Sequence, residues 1–513
     1  MKKYVLIFGL FLFIAGCTSL DEELGGTVGK DIVLAEKLFN ADELLTGAYL
    51  GLNAFGSQDR IWAFEEHTSD EVAGPTRGPD WDDGGTWRDL HTHNWASSHP
   101  FIEPTWNSML NGIFISTQVL EFDPNAQQEA EAKFLRAFFS FHVLDNWGLV
   151  LGREPLEDLT QPPSITLGRA EGIDFVIEEL EVALPNLPDT NPGRATKNAA
   201  RGMLMKAHLN RAAYKATNAD GSAQKGPFTF EAADMNAVIK YADDIINSGQ
   251  YSLDSDYFDN FRPDNANLSS ENILIKSNAR GGDSGNLASR WFMTLHYNQT
   301  PGGWNGFVAL SDLYDSFEST DVRRGKSHTE FPELDGQTGV DAGFLIGQQF
   351  TKDGVKIKDR PGADLVITKD FSLTNSNERQ GVRVIKYIMD FDNLNNPEND
   401  YVFLRYADVL LMKAEAIMRG GTATGGDTPA SLIGEIRTVR GATAPFEGTL
   451  EALLQERSRE LYWEGWRRND QIRFSTYLNA FQEKPASAEK FLLLPIPPNA
   501  LSTNPNLTQN PGY

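Results

Sequence analysis

The sequence predicts a mainly α-helical protein, built of tetratricopeptide-like helix pairs and interrupted by an irregular, loop-rich insertion with short strands. Three observations carry this reading. Apolar residues recur at helical spacing over 36–250 and again after 400. Residues 134–147 are apolar on nearly every side and 201–215 are alanine-rich, as inner members of a helical stack would be. Between 251 and 400 helical spacing gives way to loops rich in glycine, asparagine and aspartate.

Taken in order, Leu38, Ala41, Leu45, Ala48 and Leu52 share the face of a first helix. Ile173, Val176, Ile177, Leu180, Ala183, Leu184 and Leu187 form a second such face, and Met235, Val238, Ile239, Ala242, Ile245 and Ile246 a third. In the insertion, 272–277 and 382–388 read as short strands. Helices resume over 401–419, where Leu404, Ala407, Leu411, Ala414 and Met418 keep step, then over 428–440 and 449–466. The proline- and asparagine-rich end, 492–513, reads as an extended segment lying on the body. No strict repeat period is visible. Residues 36–513 are expected to form one compact unit, helical over 36–250 and 401–513, with 251–400 contributing loops to a ligand site.

With 71 acidic residues against 46 basic ones, the formal charge of −25 repels a phosphate backbone, so nucleic acid is excluded as a partner. The single cysteine, Cys17, excludes a disulfide framework and any cysteine-built zinc or iron–sulfur site. Its position explains it. Lys2 and Lys3 precede an apolar stretch, 4–14, that is too short to span a bilayer, and Ala15 and Gly16 supply small residues before Cys17. This is similar to the bacterial lipoprotein box: 1–16 is expected to be a signal peptide, Cys17 the residue carrying palmitate-type acyl chains, and 17–35 a tether. Each buried methylene of such a chain contributes about 0.8 kcal/mol of membrane affinity. Asp21, Glu22 and Glu23 resemble the acidic signal that sends lipoproteins of Bacteroidetes-type bacteria to the cell surface.

No GxSxG, HExxH, Walker or dinucleotide fingerprint is present, so neither catalysis nor a cofactor is expected. Glu456, Glu460 and Glu464 fall one turn apart among Arg457, Arg459 and Arg467. A glycosidase needs two carboxyls on opposite sides of a bond, about 5–10 Å apart. Acids on one helix face cannot straddle a sugar, and an ion-pair network is the better reading, for Arg405 and Asp408 as well. Four of the eight histidines, His67, His91, His93 and His99, lie near Asp70, Glu71 and Asp89, but this spacing is common by chance and no metal site is assigned. The run from Asp80 to Gly84 lacks the alternation and the closing glutamate of a calcium loop.

Tryptophans in loops stand out instead. Trp81, Trp87 and Trp95 lie among Gly, Asp, His and Asn, where no amphipathic period would bury them all. Trp291, Tyr297 and Trp304 form a second set beside Arg290, Asn298 and Asn305, with Gly302 and Gly303 allowing close backbone approach. Flat rings match the C–H faces of pyranoses, and Asp, Asn, Gln and Arg read hydroxyls. The candidate ligand residues are therefore Trp81, Asp83, Trp87, Trp95, Arg290, Trp291, Tyr297, Trp304 and Asn305. Trp106, Trp147, Trp463 and Trp466 sit in helical segments and are assigned to packing.

Three segments and the chain end carry a family resemblance. They are the run from Ala130 through Phe138 to Asn146, Trp147 and Gly148; the run Leu404, Arg405, Tyr406, Ala407, Asp408 onward to Ala416; and Glu456 through Leu461 to Glu464, Gly465, Trp466 and Asp470. The end adds Leu494, Pro495, Ile496, Pro497 and then Asn510, Pro511, Gly512, Tyr513. Together they resemble the SusD/RagB family of outer-membrane nutrient-uptake lipoproteins. The resemblance implies a SusD-like helical fold and a cell-surface lipoprotein that captures oligo- or polysaccharide for a SusC-like TonB-dependent transporter. It favours Trp95, which precedes the helix starting near Trp106, and Trp291 and Trp304 in the middle loops. A peptide-binding RagB-like member is the alternative, and a surface glycoside hydrolase a more remote one. The acidic balance favours a neutral glycan, unless Arg77, Arg280 or Arg290 provides local positive charge.

Overall fold

Short turns between long amphipathic segments make successive helices fold back on one another. The computed structural model describes residues 40–513; the signal 1–16, Cys17 and the tether 17–35 lie outside the described residues. Helix α1 (Ala41–Leu50), α2 (Ile61–Glu66) and α3 (Thr86–His91) lead into the long helices α4 (Ile102–Val119), α5 (Ala126–Trp147), α6 (Arg169–Ala183), α7 (Lys197–Lys215) and α8 (Ala232–Asn247). From α4 to α8 each packs on the next, and α8 packs on α9 (Tyr406–Met418), which also carries α10 (Pro429–Val439) and α11 (Leu450–Leu461). A short α12 (Arg467–Arg473) follows. Residues Ala41–Tyr513 form one compact unit.

Local chemistry sets the helix ends. Asn125 caps α5 by accepting from the backbone N–H of Gln127 and Gln128 at 3.0 Å, and Gln128 returns the bond to the Asn125 N–H. Gly148, with φ +76°, ends the same helix in the left-handed conformation. Between these caps α5 is buried on every side from Phe134 to Trp147. Its Phe139 lies so close to α4 that a β-carbon on Gly112 would sit 2.6 Å from the ring. Each such fully buried side chain contributes about 1.5–3 kcal/mol. Trp106, Trp147, Trp463 and Trp466 are all buried, the first two on helices and the last two in the turn that follows α11. No helix among the described residues is long and apolar enough to cross a membrane.

Two boundaries differ from the sequence expectation. The segment 401–405 is a strand, Tyr401–Arg405, paired antiparallel with Asn272–Lys276, and helix α9 begins only at Tyr406. The helix expected over 449–466 stops at Leu461. Trp463 and Gly465 take positive φ (+62° and +82°), and the freed N–H groups of Trp463 and Gly465 donate to Glu71 at 3.1 Å and Glu66 at 2.5 Å. Buried carboxylates from the α2 region thus replace the helical acceptors. The C-terminal end lies on the body, with Asn510 Nδ2 donating to the carbonyls of Trp147 and Leu494 at 3.0 and 2.7 Å, but it is not extended throughout as the sequence suggests: Pro498–Thr503 forms a short helix.

Short strands join the early loops to the insertion. Arg383–Ile385 pairs with Ala342–Leu345, and Val72–Ala73 pairs antiparallel with Val308–Ala309. The second pairing places the loop after residue 73 beside the loop before residue 308.

Candidate functional site

Those two loops are the aromatic segments singled out in the sequence. The chain reverses at Gly84 and Gly85 (φ +63° and +91°) before α3 begins. Trp81, itself at φ +63°, then points its indole across to the second loop and donates from Nε1 to the Trp304 carbonyl at 2.6 Å. Its ring lies directly on Gly306, where a β-carbon would be 2.1 Å from the indole, and packs edge-on against Phe307 at 5.3 Å. On the other side the Trp304 N–H donates to the Phe292 carbonyl at 2.6 Å. Gly303 passes so close to Leu295 that a β-carbon there would meet its carbonyl oxygen at 2.3 Å. The backbone of Trp304 is pinned, yet its side chain is 54% exposed, the most exposed tryptophan among the described residues. A large rigid apolar ring left in water is a feature of a contact surface rather than of a core.

Polar groups flank it. Tyr297 is half-buried; its hydroxyl donates to Asp80 Oδ2 at 3.0 Å, and the Arg360 guanidinium stacks 3.9 Å over its ring. Arg360 bridges Asp80 and Glu378, and His296 Nε2 holds the other side of Glu378 at 2.9 Å. Burial, then the hydrogen bond to Asp80, pushes the Tyr297 phenol up to about 12, so it stays a neutral donor. Burial raises Glu378, but the Arg360 backbone N–H and guanidinium and His296 outweigh it and hold the carboxyl below its usual range. Asp83 accepts from Trp87 Nε1 at 2.8 Å, and Asp82 from Arg88 at 2.6 Å. The face thus offers a bare indole beside a half-buried indole and phenol, with carboxylates and a guanidinium already held in fixed geometry.

Trp304, Trp81 and Tyr297 are brought together here, and Asp83 reaches the cluster only through Trp87, which packs beside Trp81. The other predicted site residues are placed in the core, a correction to the sequence reading. Trp291 is fully buried. Trp95 donates to the hydroxyl of Tyr513 at 2.9 Å and packs edge-on against Phe491 at 4.9 Å, so the chain end covers it. Trp87 is buried among His67, Phe101 and Phe307. Arg290 is buried with its guanidinium 4.0 Å over Trp62 and bonded to the Phe55 carbonyl at 2.8 Å. Asn305 is buried, donating to the Glu378 carbonyl at 3.1 Å and accepting from Arg383 at 2.7 Å, and so supports the site from beneath. Arg77 is also buried, and Arg280 is neutralised by Asp390, Asp392 and Glu398. Arg360, Asp80 and Glu378 escaped the sequence reading, because only the tertiary fold brings residues 280 positions apart, such as Asp80 and Arg360, into contact.

The clustered glutamates and two of the histidines singled out in the sequence are occupied structurally. Glu460 accepts from Arg323 at 2.9 Å, Arg405 at 2.5 Å and Arg440 at 2.9 Å; Glu456 accepts from Arg323 at 2.8 Å and Arg437 at 2.6 Å. Glu464, beyond the helix end, accepts from Lys386 at 2.6 Å and Arg405 at 2.8 Å. Burial pushes Glu456 up, but Arg323 and Arg459 prevail and hold it at about 2. These glutamates are the counter-ions of a buried arginine network that ties α10 and α11 to the insertion. His91 bonds the Gln482 carbonyl at 2.9 Å and His93 the Thr68 carbonyl at 2.7 Å.

A scaffold of successively packed, tetratricopeptide-like helices thus presents rigid rings on inserted loops. Comparison with known proteins is specific. The model of the SusD family matches residues 270–491. A SusD-like protein of Bacteroides ovatus is 25% identical over 72% of this chain and 63% of its own length. The starch-binding protein SusD of Bacteroides thetaiotaomicron is 24% identical over 75% of this chain and 73% of its own. Surface glycan-binding protein A from Bacteroides thetaiotaomicron, solved with laminarihexaose, shares the fold with a TM-score of 0.63 and 19% identity, covering 92% of this chain and 98% of that one. The chain is similar to members of the SusD family over these segments.

Proposed function

We propose that the protein is a cell-surface glycan-binding lipoprotein, held to the outer membrane through acylated Cys17. It captures oligo- or polysaccharide on the Trp304 face and delivers it, without cleaving it, to a SusC-like TonB-dependent transporter. The observation that carries this reading is the exposed Trp304 ring on a backbone locked by Trp81, Phe292 and Gly303. A pyranose laid on that ring buries its C–H face, while Asp80, Tyr297 and Arg360 lie within the same cluster to meet hydroxyls. Relatives named for binding starch and laminarin support the ligand class. The fixed pairing of Arg360 with Asp80 and Glu378 leaves little net charge for an anionic glycan and favours a neutral one.

Native electrophoresis through gels containing starch, laminarin, xylan or galactomannan tests the reading. Retarded migration in at least one gel, with no sugar released on incubation, is the expected result. Unretarded migration in all of them, with binding to peptides instead, would replace the glycan reading by peptide capture.

A further inference from the structure

A second concavity, of about 630 Å³, lies where the segment 226–230 meets helices α11 and α12, and it shares no lining residue with the Trp304 face. Its size falls in the range of small-molecule sites. Phe228, Phe230, Phe474 and Phe481 form apolar walls. Between two of them stands Arg419, its guanidinium carbon 3.9 Å from the ring centre of Phe230 and 4.6 Å from that of Phe474. Arg419 Nε donates to Glu415 at 2.7 Å, which fixes the fork, and the side chain is only 7% exposed. Its Nη2 is buried and has no hydrogen-bond partner among the described residues. The same holds for Oε1 of Gln471, a lining residue that is 3% exposed.

Apart from Glu451, an exposed lining carboxylate, the other charged groups here are matched. Arg467 grips Asp70 with Nε and Nη2 at 2.6 and 2.8 Å, and Arg473 is bonded to Glu415 and Asp470. Glu415 neutralises Arg419 from behind. What remains is one unmet donor and one unmet acceptor beside aromatic walls, with no excess positive charge to select an anion. Each unmet buried polar group costs about 1–3 kcal/mol, which a ligand meeting both recovers. A ligand that both accepts and donates, and carries an apolar face, is a neutral pyranose with neighbouring hydroxyls.

We propose that this concavity is a second carbohydrate subsite, in which hydroxyls of a neutral sugar bridge Arg419 and Gln471 and its C–H surface lies on the phenylalanine walls. It stands independently of the Trp304 face. Two sites on one compact unit raise the avidity for a long chain above that for a short one.

Hydrogen–deuterium exchange of the full protein with millimolar maltotriose, laminaritriose, xylotriose or mannotriose tests the proposal. Exchange in segments 226–231 and 471–481 should slow by about threefold or more with at least one sugar. The slowing should persist in Trp304→Ala and vanish in both Gln471→Met and Phe228→Ala. No slowing with any of the four sugars overturns the proposal. So does slowing that disappears in Trp304→Ala, or that survives in both Gln471→Met and Phe228→Ala.

Discussion

Replacing Gly306 by alanine perturbs the Trp304 face without deleting any ring. The backbone of Gly306 does not require a positive φ, so the added methyl acts only through space. Its β-carbon would lie 2.1 Å from Trp81 Cζ2 and 2.3 Å from Cε2, whereas ordinary contact begins at 3.4 Å. The indole must therefore retreat by about 1.3 Å, which takes its Nε1 bond to the Trp304 carbonyl, now 2.6 Å, out of hydrogen-bond range. Overpacking of this kind costs about 1–3 kcal/mol in stability. Trp304 loses one of its two backbone anchors, and if loop ordering on binding then costs about 1–2 kcal/mol more, affinity for an oligosaccharide falls about 5- to 30-fold. Calorimetric titration measures the affinity, and thermal unfolding separates it from general destabilisation. In Trp81→Ala the ring is gone, so adding Gly306→Ala should change affinity no further. Wild-type affinity in the single Gly306→Ala variant, or additive losses in the double variant, would refute the wedge role of Trp81.

Further consequences follow from the same packing. Trp95→Ala removes a buried indole capped by Tyr513, and should destabilise the fold by about 3–5 kcal/mol in urea unfolding while glycan retardation persists. Glu460→Gln withdraws the negative charge shared by Arg323, Arg405 and Arg440, all fully buried, and should cost about 3–5 kcal/mol by the same measurement. Stability should have its maximum on the acid side of neutrality. Glu456, held at about 2 against an ordinary 4.5, stabilises the fold above 4.5 and loses that contribution as pH falls toward 2. Burial pushes Glu65 up to about 8 and Glu71 to about 7, so their folded-state preference for the proton is fully felt below 4.5 and is lost as pH rises through 7 to 8. Urea midpoints measured across this range should fall on both sides of the maximum, and Glu65→Gln should flatten the alkaline side.

The helical scaffold was legible because amphipathic spacing is a local property. Leu45 and Ala48, Ile173 and Val176, Met235 and Val238 all face the core that their spacing implies. Trp304 was legible for a related reason: a tryptophan between glycine-rich turns has no helical face to join. Trp95 and Trp291 satisfied the same rule and are nevertheless buried, Trp95 beneath a C-terminal tyrosine 418 positions away. Pairing of Tyr401–Arg405 with Asn272–Lys276 likewise overrode a helical spacing that continued unbroken into α9. Helix α11 stops early because Glu66 and Glu71 accept the N–H groups of the turn, and nothing within 449–466 marks those acceptors. The polar half of the face, Asp80, Arg360 and Glu378, exists only through tertiary contacts.

The most direct measurement is the affinity of wild type and Trp304→Ala for the same neutral oligosaccharide, chosen from the polysaccharide that retards the wild type. A tryptophan side chain buries about 150–250 Å² when covered. With Trp304 54% exposed, a sugar can cover about 80–100 Å² of it, worth about 2 kcal/mol at 25 cal/mol per Å². The expected result is a loss of roughly thirtyfold in affinity with an unchanged unfolding midpoint. Equal affinity in the two proteins would contradict the assignment of the glycan to this face.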